Sequence, residues 1–400
     1  MPGSVTALAA AFGTAWHVQH AAIMNLLGFV TGSGSPYGSV TPASAGQLYQ
    51  DTVTGNYYIA EGTTNTSWAA LTVAGSPFAQ NNWRNLIDGG DFTINPWQRG
   101  TSFTGISTTL TYTADRWFAV GATTSSISVS QVANTTVAGF SQSLVFGRGS
   151  GDTHTAQISL GQVLESADSV RMQGQPVTFS FYAAAGANFS ASALNVQVIS
   201  GTGNNQSAAN MIAGSWTGQT NVINTTTALT TTMTRYSFTG TVPAGCTQLG
   251  VQLSYTPVGT AGGNDNVAFE GIQLEAGGLS VFEHRDIEVE LAICQRYAWV
   301  VPEPASGVQV AVGGANATAN NQTFYLAPPT QLRAAPTVTV TTGSFKVAAS
   351  APAATATISP GTTHTPNAIT VTSTVTQTVG GSAALVGGGG SGSIVASADF

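Results

Sequence analysis

A long segment of this 400-residue chain begins Asn85-Leu86-Ile87-Asp88-Gly89-Gly90-Asp91-Phe92 and ends Phe269-Glu270-Gly271-Ile272-Gln273-Leu274-Glu275-Ala276-Gly277. Between these two stretches, polar and apolar residues alternate in many short runs, which is the pattern of half-buried β-strands. The clearest runs are residues 126–132, 155–160, 177–182, 194–199, 234–239 and 249–254. Glycine, asparagine and proline separate the runs. The segment therefore predicts an antiparallel β-sandwich whose two sheets bury alternate side chains.

Three further motifs accompany the two stretches. They read Asn95-Pro96-Trp97-Gln98-Arg99-Gly100, Ala114-Asp115-Arg116-Trp117-Phe118 and Glu290-Leu291-Ala292-Ile293-Cys294-Gln295-Arg296-Tyr297. In this order the motifs resemble the jelly-roll domain of tailed-phage and prophage fibre proteins, which is similar to the carbohydrate-binding modules of secreted glycosidases. The resemblance implies a mostly-β chain with a jelly-roll β-sandwich over residues 84–301.

The composition of the chain excludes several classes of protein. Only 7% of the residues are charged, and 42% are hydrophobic. Soluble domains usually carry about 25% charged residues, whereas disordered chains lack apolar ones. The chain should therefore fold with a neutral, hydroxyl-rich surface, and we expect an oligomer because little charge repulsion separates the subunits. With a net charge of −7 and one lysine, Lys346, the chain has no basic stripe for nucleic acid.

The cysteines and the first basic residue bear on where the protein folds. Cys246 and Cys294 are the only cysteines, whereas small disulfide-dependent secreted domains carry many, so we expect a reduced, buried pair. The first basic residue is Arg84, and a secretory leader needs a positive amino-terminal region. No signal peptide is therefore expected. With the resemblance, this predicts synthesis in the host bacterial cytoplasm and a final location in the virion.

Residues 1–36 form the first of four predicted segments. Leu8, Phe12 and Trp16 are spaced as on one face of a helix, and so are residues 23, 26, 27 and 30. His17 and His20 interrupt the stretch, whereas a membrane span needs about 20 mostly apolar residues, so no span is expected. We expect a helical segment that attaches to other virion proteins, with its histidines satisfied in an interface.

Residues 37–83 form the second predicted segment, a small β-module followed by a linker. Short strands are expected at residues 47–49, 57–60 and 68–71, with turn residues between them. The pattern resembles a short module of phage head- and tail-fibre proteins. In that family the module lies between the virion anchor and the distal domains.

The fourth segment, residues 302–400, is a predicted C-terminal β-domain. Pro302-Glu303-Pro304 is the expected linker, residues 337–340 and 368–372 are expected strands, and residues 387–390, all glycine, are an expected flexible break. The ending of the chain resembles the C-terminal domain that often follows the jelly roll in phage fibres.

Candidate metal ligands are few. Motifs for a catalytic metal, a P-loop or an activated serine are absent from the sequence, so no catalytic residue is predicted. Asp88, Asp91 and Glu270 are candidate ligands of a structural calcium, because related jelly-roll modules often hold calcium between their first and last strands. Calcium takes six or more oxygen ligands, and capped turns explain the two aspartates equally well. We expect no other cofactor.

The densest charge cluster comprises Glu283, His284, Arg285, Asp286, Glu288 and Glu290. A glycosidase needs two carboxylates about 5 to 10 Å apart, which this cluster could supply. We favour a short helix that follows the sandwich, with Asp286 or Glu288 in its first turn and Arg296 in its last. Its buried side would comprise Leu291, Ile293, Cys294 and Tyr297.

Aromatic residues are the candidates for sugar contact. Trp97, Trp117, Trp216, Tyr182 and Tyr236 could stack on sugar rings, although aromatics in a sandwich usually belong to the core. Trp97 and Trp117 lie inside the motifs, which favours a structural role. Trp216 lies between glycines in a loop-like context and is the predicted glycan-binding residue.

From these observations we expect a non-enzymatic fibre or spike protein of a bacteriophage virion. The resemblance implies a homotrimer that is attached through its N-terminus and binds host surface glycans. A purely structural head decoration or connector protein fits the low charge equally well. A polysaccharide-degrading enzyme is a second alternative, although such enzymes usually need a long β-helix or a recognisable acid pair. Binding to a glycan would distinguish the fibre protein from the connector or decoration protein. Release of product from a polysaccharide would distinguish the enzyme from both.

Overall fold

The computed structural model of this protein describes residues 29–51, 57–71, 84–134, 136–315, 322–341, 343, 345–348, 354–355, 358–373 and 382–400. Contacts between residues divide the chain into two compact units, Met1–Asn82 and Trp83–Phe400. Each unit has its own hydrophobic core. The finer division into four segments stays a prediction.

The first unit contains a four-stranded sheet in the order β1-β2-β3-β4. Its strands are Phe29–Gly32, Leu48–Asp51, Tyr57–Ala60 and Trp68–Leu71. Tyr49, Ala60 and Trp68 are buried together, and the Trp68 indole donates a hydrogen bond of 2.6 Å to the Val40 carbonyl.

The three strands expected in this unit are confirmed. The sequence analysis missed β1, which pairs with β2 in the parallel direction. Val30, which the helical spacing included, lies in that strand. A helix was expected within residues 1–36. Residues 1–28 of that segment lie outside the described residues.

The second unit contains the strands of the sandwich. The strands are β5 (Ser102–Ile106), β6 (Thr111–Tyr112), β7 (Phe118–Gly121), β8 (Ile127–Ala133), β9 (Gln142–Arg148), β10 (Ile158–Val163), β11 (Pro176–Ala185), β12 (Leu194–Gly201), β13 (Thr220–Thr227), β14 (Thr234–Thr241), β15 (Gln248–Tyr255) and β16 (Asn266–Ala276). One short helix lies between β10 and β11, and another lies between β12 and β13. The helices are α1 (Ser166–Ser169), which continues into a 3-10 turn at Val170–Met172, and α2 (Ala208–Ile212).

These strands form two six-stranded sheets, which we call the front and back sheets. The front sheet has the order β13-β12-β15-β10-β7-β6, and the back sheet has the order β14-β11-β16-β9-β8-β5. All the pairs between neighbouring strands are antiparallel; for example, Leu160 lies opposite Leu253 and Phe179 opposite Leu274. The predicted mostly-β fold with an antiparallel sandwich is confirmed, and each of the six predicted strand runs overlaps an observed strand.

The alternating pattern fills the space between the two sheets. Ile127 and Val129 are buried while Ser128 and Ser130, which follow them, are half-buried, and the first half of β12 alternates in the same way. The inward side chains of both sheets form one large core that includes Phe146, Phe179, Phe181 and Phe269. Burial of these rings and of the aliphatic side chains around them stabilises the sandwich.

A second, smaller core lies on the outer face of the front sheet. Phe118, Val163 and Ile199 point outward there and are covered by Met211 of α2 and by Trp216. Ser207 caps α2 by accepting a hydrogen bond of 3.2 Å from the Asn210 amide, as capping serines do.

After the sandwich, helix α3 (Ile287–Gln295) leads into the C-terminal strands. These strands are β17 (Ala298–Pro302), β18 (Gln309–Ala315), β19 (Gln322–Leu326), β20 (Thr337–Thr341), β21 (Lys346–Ala348), β22 (Ala354–Thr355), β23 (Ile358–Pro360), β24 (Ile369–Ser373), β25 (Ser382–Val386) and β26 (Ser393–Ser397). They form a three-stranded sheet, β17-β26-β20, and a seven-stranded sheet, β22-β21-β25-β18-β19-β24-β23. Both predicted strands of this region are confirmed.

The linker expected at Pro302-Glu303-Pro304 differs from the structure. Pro302 ends β17, which pairs along its length with β26, so the C-terminal sheets begin before this point. Glu303 is buried, and its carboxylate accepts hydrogen bonds from the amides of Gly388, Gly390 and Gly392 at 2.9 to 3.2 Å. This carboxylate thereby fixes the glycine run that was expected to be a flexible break.

The last residues of the chain pack against the sandwich. Arg99 forms an ion pair with Asp399, and the Tyr112 hydroxyl donates to the Phe400 carbonyl at 3.1 Å. Arg333 lies over the Phe400 ring, 4.0 Å from its centroid. Within the part of the chain that the structure describes, no helix is long and apolar enough to cross a membrane.

Candidate functional site

The motifs found in the sequence come together at one edge of the sandwich. The Asn85 side chain accepts hydrogen bonds from the amides of Ile87 and Leu274 at 3.0 and 3.1 Å and donates to the Ile272 carbonyl at 3.1 Å. The Asn85 amide donates to Glu283 at 2.7 Å. The opening stretch is therefore hydrogen-bonded to strand β16 and to the segment that follows it.

Asp88 lies at the centre of this junction. Its carboxylate faces Arg116 at 3.3 Å and Arg285 at 3.2 Å. Its backbone forms reciprocal hydrogen bonds of 2.9 and 2.7 Å with the Gln162 side chain. Arg116 is buried, adopts φ +75° and places its guanidinium 3.4 Å from the centre of the Tyr297 ring. Each oxygen of the Asp88 carboxylate is thus paired with a guanidinium group.

The densest charge cluster leads into the predicted helix, but Arg296, which was expected in its last turn, follows the last helical residue, Gln295. Asp286 precedes α3, Glu288 and Glu290 lie in its first turn, and Cys294 is buried. Glu290 is buried as well, which the sequence did not predict. Its carboxylate accepts a hydrogen bond from the Gly89 amide and pairs with Arg285 at 3.3 Å. Burial raises the pKa of Glu290, and the Arg285 charge opposes that shift.

A pocket of about 280 Å³ opens beside this junction. The opening stretch, helix α1 with its 3-10 turn, and helix α3 contribute its walls. The lining residues are Asn85, Leu86, Asp88, Glu165, Ala167, Asp168, Arg171, Arg285, Ile293, Arg296 and Tyr297. In a chain with so few charged residues, six of the eleven lining residues carry a charge, so this pocket is the candidate functional site.

Glu165 forms the most ordered wall of the pocket. Its two oxygens accept hydrogen bonds from the Arg296 guanidinium at 2.8 and 3.1 Å, and the Tyr297 hydroxyl donates to it at 2.8 Å. Burial alone would raise the pKa of Glu165, but the hydrogen bonds from Arg296 and Tyr297 lower it below its ordinary value. Glu165 is therefore a fixed carboxylate at neutral pH.

Asp168 and Arg171 form the rim of the pocket. They pair at 3.4 Å, and their side chains are 51% and 41% exposed. Partial burial, followed by the charge of Asp88, raises the pKa of Asp168. The Arg296 side chain, 39% exposed, completes the polar groups that a ligand would meet first.

The three calcium candidates are each engaged by other protein groups. Asp91 accepts a hydrogen bond from the Thr93 amide at 3.0 Å and faces the His284 ring nitrogen at 2.7 Å. Glu270, on β16 as expected, accepts from the Ser143 hydroxyl at 2.6 Å, and burial raises its pKa. Across the described ranges, no three His, Cys, Asp or Glu side chains are grouped so as to hold a metal. The structure does not bring Asp88, Asp91 and Glu270 together as a ligand set.

Trp216, the predicted glycan-binding residue, is buried in the structure. Its side chain is only 3% exposed and packs in the small core on the front sheet, where its indole donates to the Ser207 carbonyl at 2.8 Å. A buried ring presents no face to a sugar. Trp97 and Trp117 are buried in the main core, as their places in the motifs suggested. Tyr182 and Tyr236 are only partly buried.

Glu165, Asp168 and Arg171 were not among the residues predicted from the sequence. A signal was present, since these three charged residues fall within seven positions of a chain in which only 7% of the residues are charged. It was overlooked because the run is short and lies between two strands, where charged residues are ordinary loop residues.

Comparison with known proteins gives structural similarity only. No protein-family model matches the chain, and no curated protein matches it significantly. Among solved structures, the enzymatically active domain of bacteriophage CBA120 tailspike protein 4 is similar at 11% identity and a TM-score of 0.30. That match covers 49% of this chain and 22% of the tailspike chain. This chain therefore matches less than a quarter of the tailspike domain.

Two sugar-binding structures are also similar. The C-terminal family 22 carbohydrate-binding module of Clostridium thermocellum Xyn10B matches at 14% identity and a TM-score of 0.29, covering 42% of this chain and 88% of the module. A putative sugar-binding protein from Bacteroides thetaiotaomicron matches at 13% identity and a TM-score of 0.31, covering 48% of this chain and all of that protein. TM-scores this low transfer no function to this chain.

Proposed function

We propose that this protein is a non-enzymatic fibre or spike protein of a bacteriophage virion that binds a host surface glycan through the pocket beside α3. One observation carries the proposal. The pocket concentrates paired carboxylate and guanidinium groups in a chain in which only 7% of the residues are charged. Such groups, fixed by their mutual contacts, are suited to hydrogen-bond the hydroxyls of a sugar.

The geometry of the pocket supports this function. Glu165 is held by three hydrogen bonds and Asp88 by two guanidinium groups, so the wall is ordered before a ligand arrives. A preorganised wall loses little entropy when it binds. The rim groups Asp168, Arg171 and Arg296 remain accessible to solvent and are the groups that would contact the ligand.

The homotrimer and the virion attachment are part of the same proposal. Their support is the resemblance of the sequence motifs to phage fibre proteins, together with a surface that carries little charge to keep subunits apart. Three weak sites on one particle would bind a repetitive surface together, and linked sites gain about 10² to 10⁴ in avidity. The N-terminal segment would join the trimer to other virion proteins.

Binding to bacterial cells tests the proposal. Purified full-length protein, with its mass in solution measured in the same preparation, is titrated onto candidate host cells and onto their extracted polysaccharide. A double substitution, Asp168→Ala with Arg171→Ala, removes the rim without leaving a charge unpaired and should lower affinity at least about fivefold. Glu288→Ala, on the exposed first turn of α3, is the control and should bind as the wild type does. Absence of saturable binding to every host would contradict glycan binding.

A connector or head decoration protein is the first alternative. It is favoured by the engagement of Asp88 and Glu165 with protein groups, which gives both carboxylates a purely structural explanation. Under this alternative, neither cells nor polysaccharide would bind, while the protein would still assemble with other virion components.

Glycan hydrolysis is the second alternative, and one observation favours it. The pocket raises the pKa of Asp168 and lowers that of Glu165, and two carboxyl groups with opposite shifts are the pattern of a general acid beside an ionised carboxylate. Incubation of the host polysaccharide with the protein decides this point. New reducing ends or a shortened polymer would overturn the non-enzymatic proposal.

A further inference from the structure

The charges that line the pocket balance each other. The carboxylates are Asp88, Glu165 and Asp168, and the guanidinium groups are Arg171, Arg285 and Arg296. Each carboxylate lies against a guanidinium group: Asp88 faces Arg285 at 3.2 Å, Glu165 faces Arg296 at 2.8 Å, and Asp168 faces Arg171 at 3.4 Å. The formal charge of the lining is therefore zero.

We infer that the pocket takes one uncharged sugar residue, recognised through neighbouring hydroxyl groups, an inference that rests on the proposed glycan binding. A sugar carboxylate would have to displace Glu165 from Arg296 or Asp168 from Arg171. An ammonium group would have to displace an arginine from its carboxylate. At the Glu165–Arg296 pair, where the Glu165 side chain is only 10% exposed, such an exchange separates a largely buried charge pair, which is costly.

A hydroxyl group avoids this cost because it both donates and accepts hydrogen bonds. Two adjacent hydroxyls can accept from Arg171 and donate to Asp168 while that ion pair stays intact. The same applies to Arg296, whose exposed guanidinium keeps donors beyond those that bind Glu165. Balanced donors and acceptors thus favour a neutral polyol over a charged sugar.

The size and the apolar parts of the pocket limit the ligand to one ring. Its volume of about 280 Å³ is just below the usual range of ligand pockets, about 300 to 1,000 Å³. Leu86, Ala167 and Ile293 supply small apolar contacts. The Tyr297 side chain is buried, with Arg116 over one face of its ring, and offers no stacking face, so we expect a dissociation constant on the order of 1 mM for a single site.

The experiment titrates full-length protein with single sugars and follows saturation-transfer NMR signals. The neutral set is glucose, galactose, mannose, rhamnose, N-acetylglucosamine and N-acetylgalactosamine. The charged set is glucuronate, galacturonate, glucosamine and galactosamine. Each titration is run at about 50 and 500 mM NaCl, because salt screens charge interactions at the higher concentration.

We expect at least one neutral sugar to saturate the protein and to bind at least about fivefold tighter than its charged counterparts. Its affinity should change less than about twofold between the two salt concentrations. The double substitution Asp168→Ala with Arg171→Ala should abolish the signal without a change in melting temperature, whereas Glu288→Ala should leave the signal intact.

Tightest binding of a uronate or an amino sugar, with a steep decline in salt, would overturn the inference. The absence of any sugar signal from a preparation that still binds host cells would also overturn the inference. Glycan binding would then depend on a different site or on a different class of ligand. Loss of both cell binding and sugar signals would overturn the proposed function together with the inference.

Discussion

At the scale of single residues, this protein uses its few charges inside the fold rather than on the surface. Asp115, Arg116, Arg148, Asp265 and Glu270 are all buried. A buried charge is tolerated only where other groups pair with it or hydrogen-bond to it. Although the sequence carries few charges, many of them form ion pairs and hydrogen bonds inside the fold. Substitutions of these residues should therefore have large effects on the unfolding free energy.

Asp115 should make stability depend on pH. Burial, opposed by the Gln98 amide hydrogen bond and by Arg99, raises the pKa of Asp115 to about 6. A carboxyl with a raised pKa favours the folded state at low pH, and that contribution is lost as pH rises from about 4 through the folded pKa. Between pH 4 and pH 7, the unfolding free energy of the wild type should therefore fall by about 2 kcal/mol relative to that of Asp115→Asn.

Urea unfolding of both proteins across that pH range measures this difference. The comparison cancels the contributions of other groups, among them Glu165, whose lowered pKa acts in the opposite direction. A difference that stays constant with pH would show that Asp115 is not protonated near pH 6 in the folded protein.

Arg148 should be among the most sensitive single positions. Its guanidinium donates to Asp265 at 2.8 Å and to the carbonyls of His154 and Gly259 at 2.7 and 2.9 Å. Neither Arg148 nor Asp265 has an exposed side chain. Removal of one partner leaves the other buried and unpaired, so Arg148→Ala should cost about 3 to 5 kcal/mol of unfolding free energy.

Chemical denaturation measures this loss. Arg171→Ala is the matched control, because its ion pair with Asp168 is exposed and such pairs contribute about 1 kcal/mol or less. Equal losses in the two variants would contradict the network described above.

At the scale of elements, the alternating pattern predicted six of the twelve strands of the sandwich, and strands such as β8 show why, because one of their faces is buried and the other is not. Strand β1 (Phe29–Gly32) was not predicted, because Val30 continues the helical spacing of the residues before it. The burial of Trp216 was not predicted either. The small core that contains it combines residues of α2, β7, β10 and β12, which lie far apart in the sequence. The pocket depends in the same way on three segments far apart in sequence.

The contact between the opening stretch and β16 has no room for a side chain at Gly90. A Cβ atom there would lie 2.3 Å from the Ile272 carbonyl oxygen, and the Gly90 carbonyl itself accepts from the Ile272 amide at 3.0 Å. Gly90→Ala must therefore separate two paired segments, and we expect a loss of about 2 kcal/mol or more.

Thermal unfolding of Gly90→Ala and Gly245→Ala tests this contact. A Cβ at Gly245 meets no atom within 4 Å, so that variant should stay within about 1 kcal/mol of the wild type. An unchanged melting temperature for Gly90→Ala would mean that the opening stretch is not fixed against β16.

At the scale of the whole molecule, the end of the chain joins the sandwich to the C-terminal sheets. Arg333 donates to the Ala398 and Asp399 carbonyls at 2.8 and 2.9 Å, and Phe400 packs on the small core of the front sheet. The second compact unit should accordingly unfold as one cooperative body.

Phe400→Ala should weaken that cooperativity. The substitution removes the ring that lies under Arg333 and beside Tyr297, and we expect a loss of about 1 to 3 kcal/mol. Scanning calorimetry should show a broadened or divided transition, with calorimetric enthalpy exceeding the van't Hoff value. Tyr325→Ala, at an exposed ring, is the control. A single sharp transition in Phe400→Ala would place the connection elsewhere.

The hydrogen bond between Asn85 and Glu283 spans 198 positions of sequence, which has a consequence for synthesis on the ribosome. The first stretch of the sandwich emerges long before the segment that completes it. At about 5 to 20 residues per second, this wait is about 10 to 40 seconds. During that time the early strands have unpaired edges and exposed apolar faces, so nascent chains should depend on chaperones and on low local crowding to avoid aggregation.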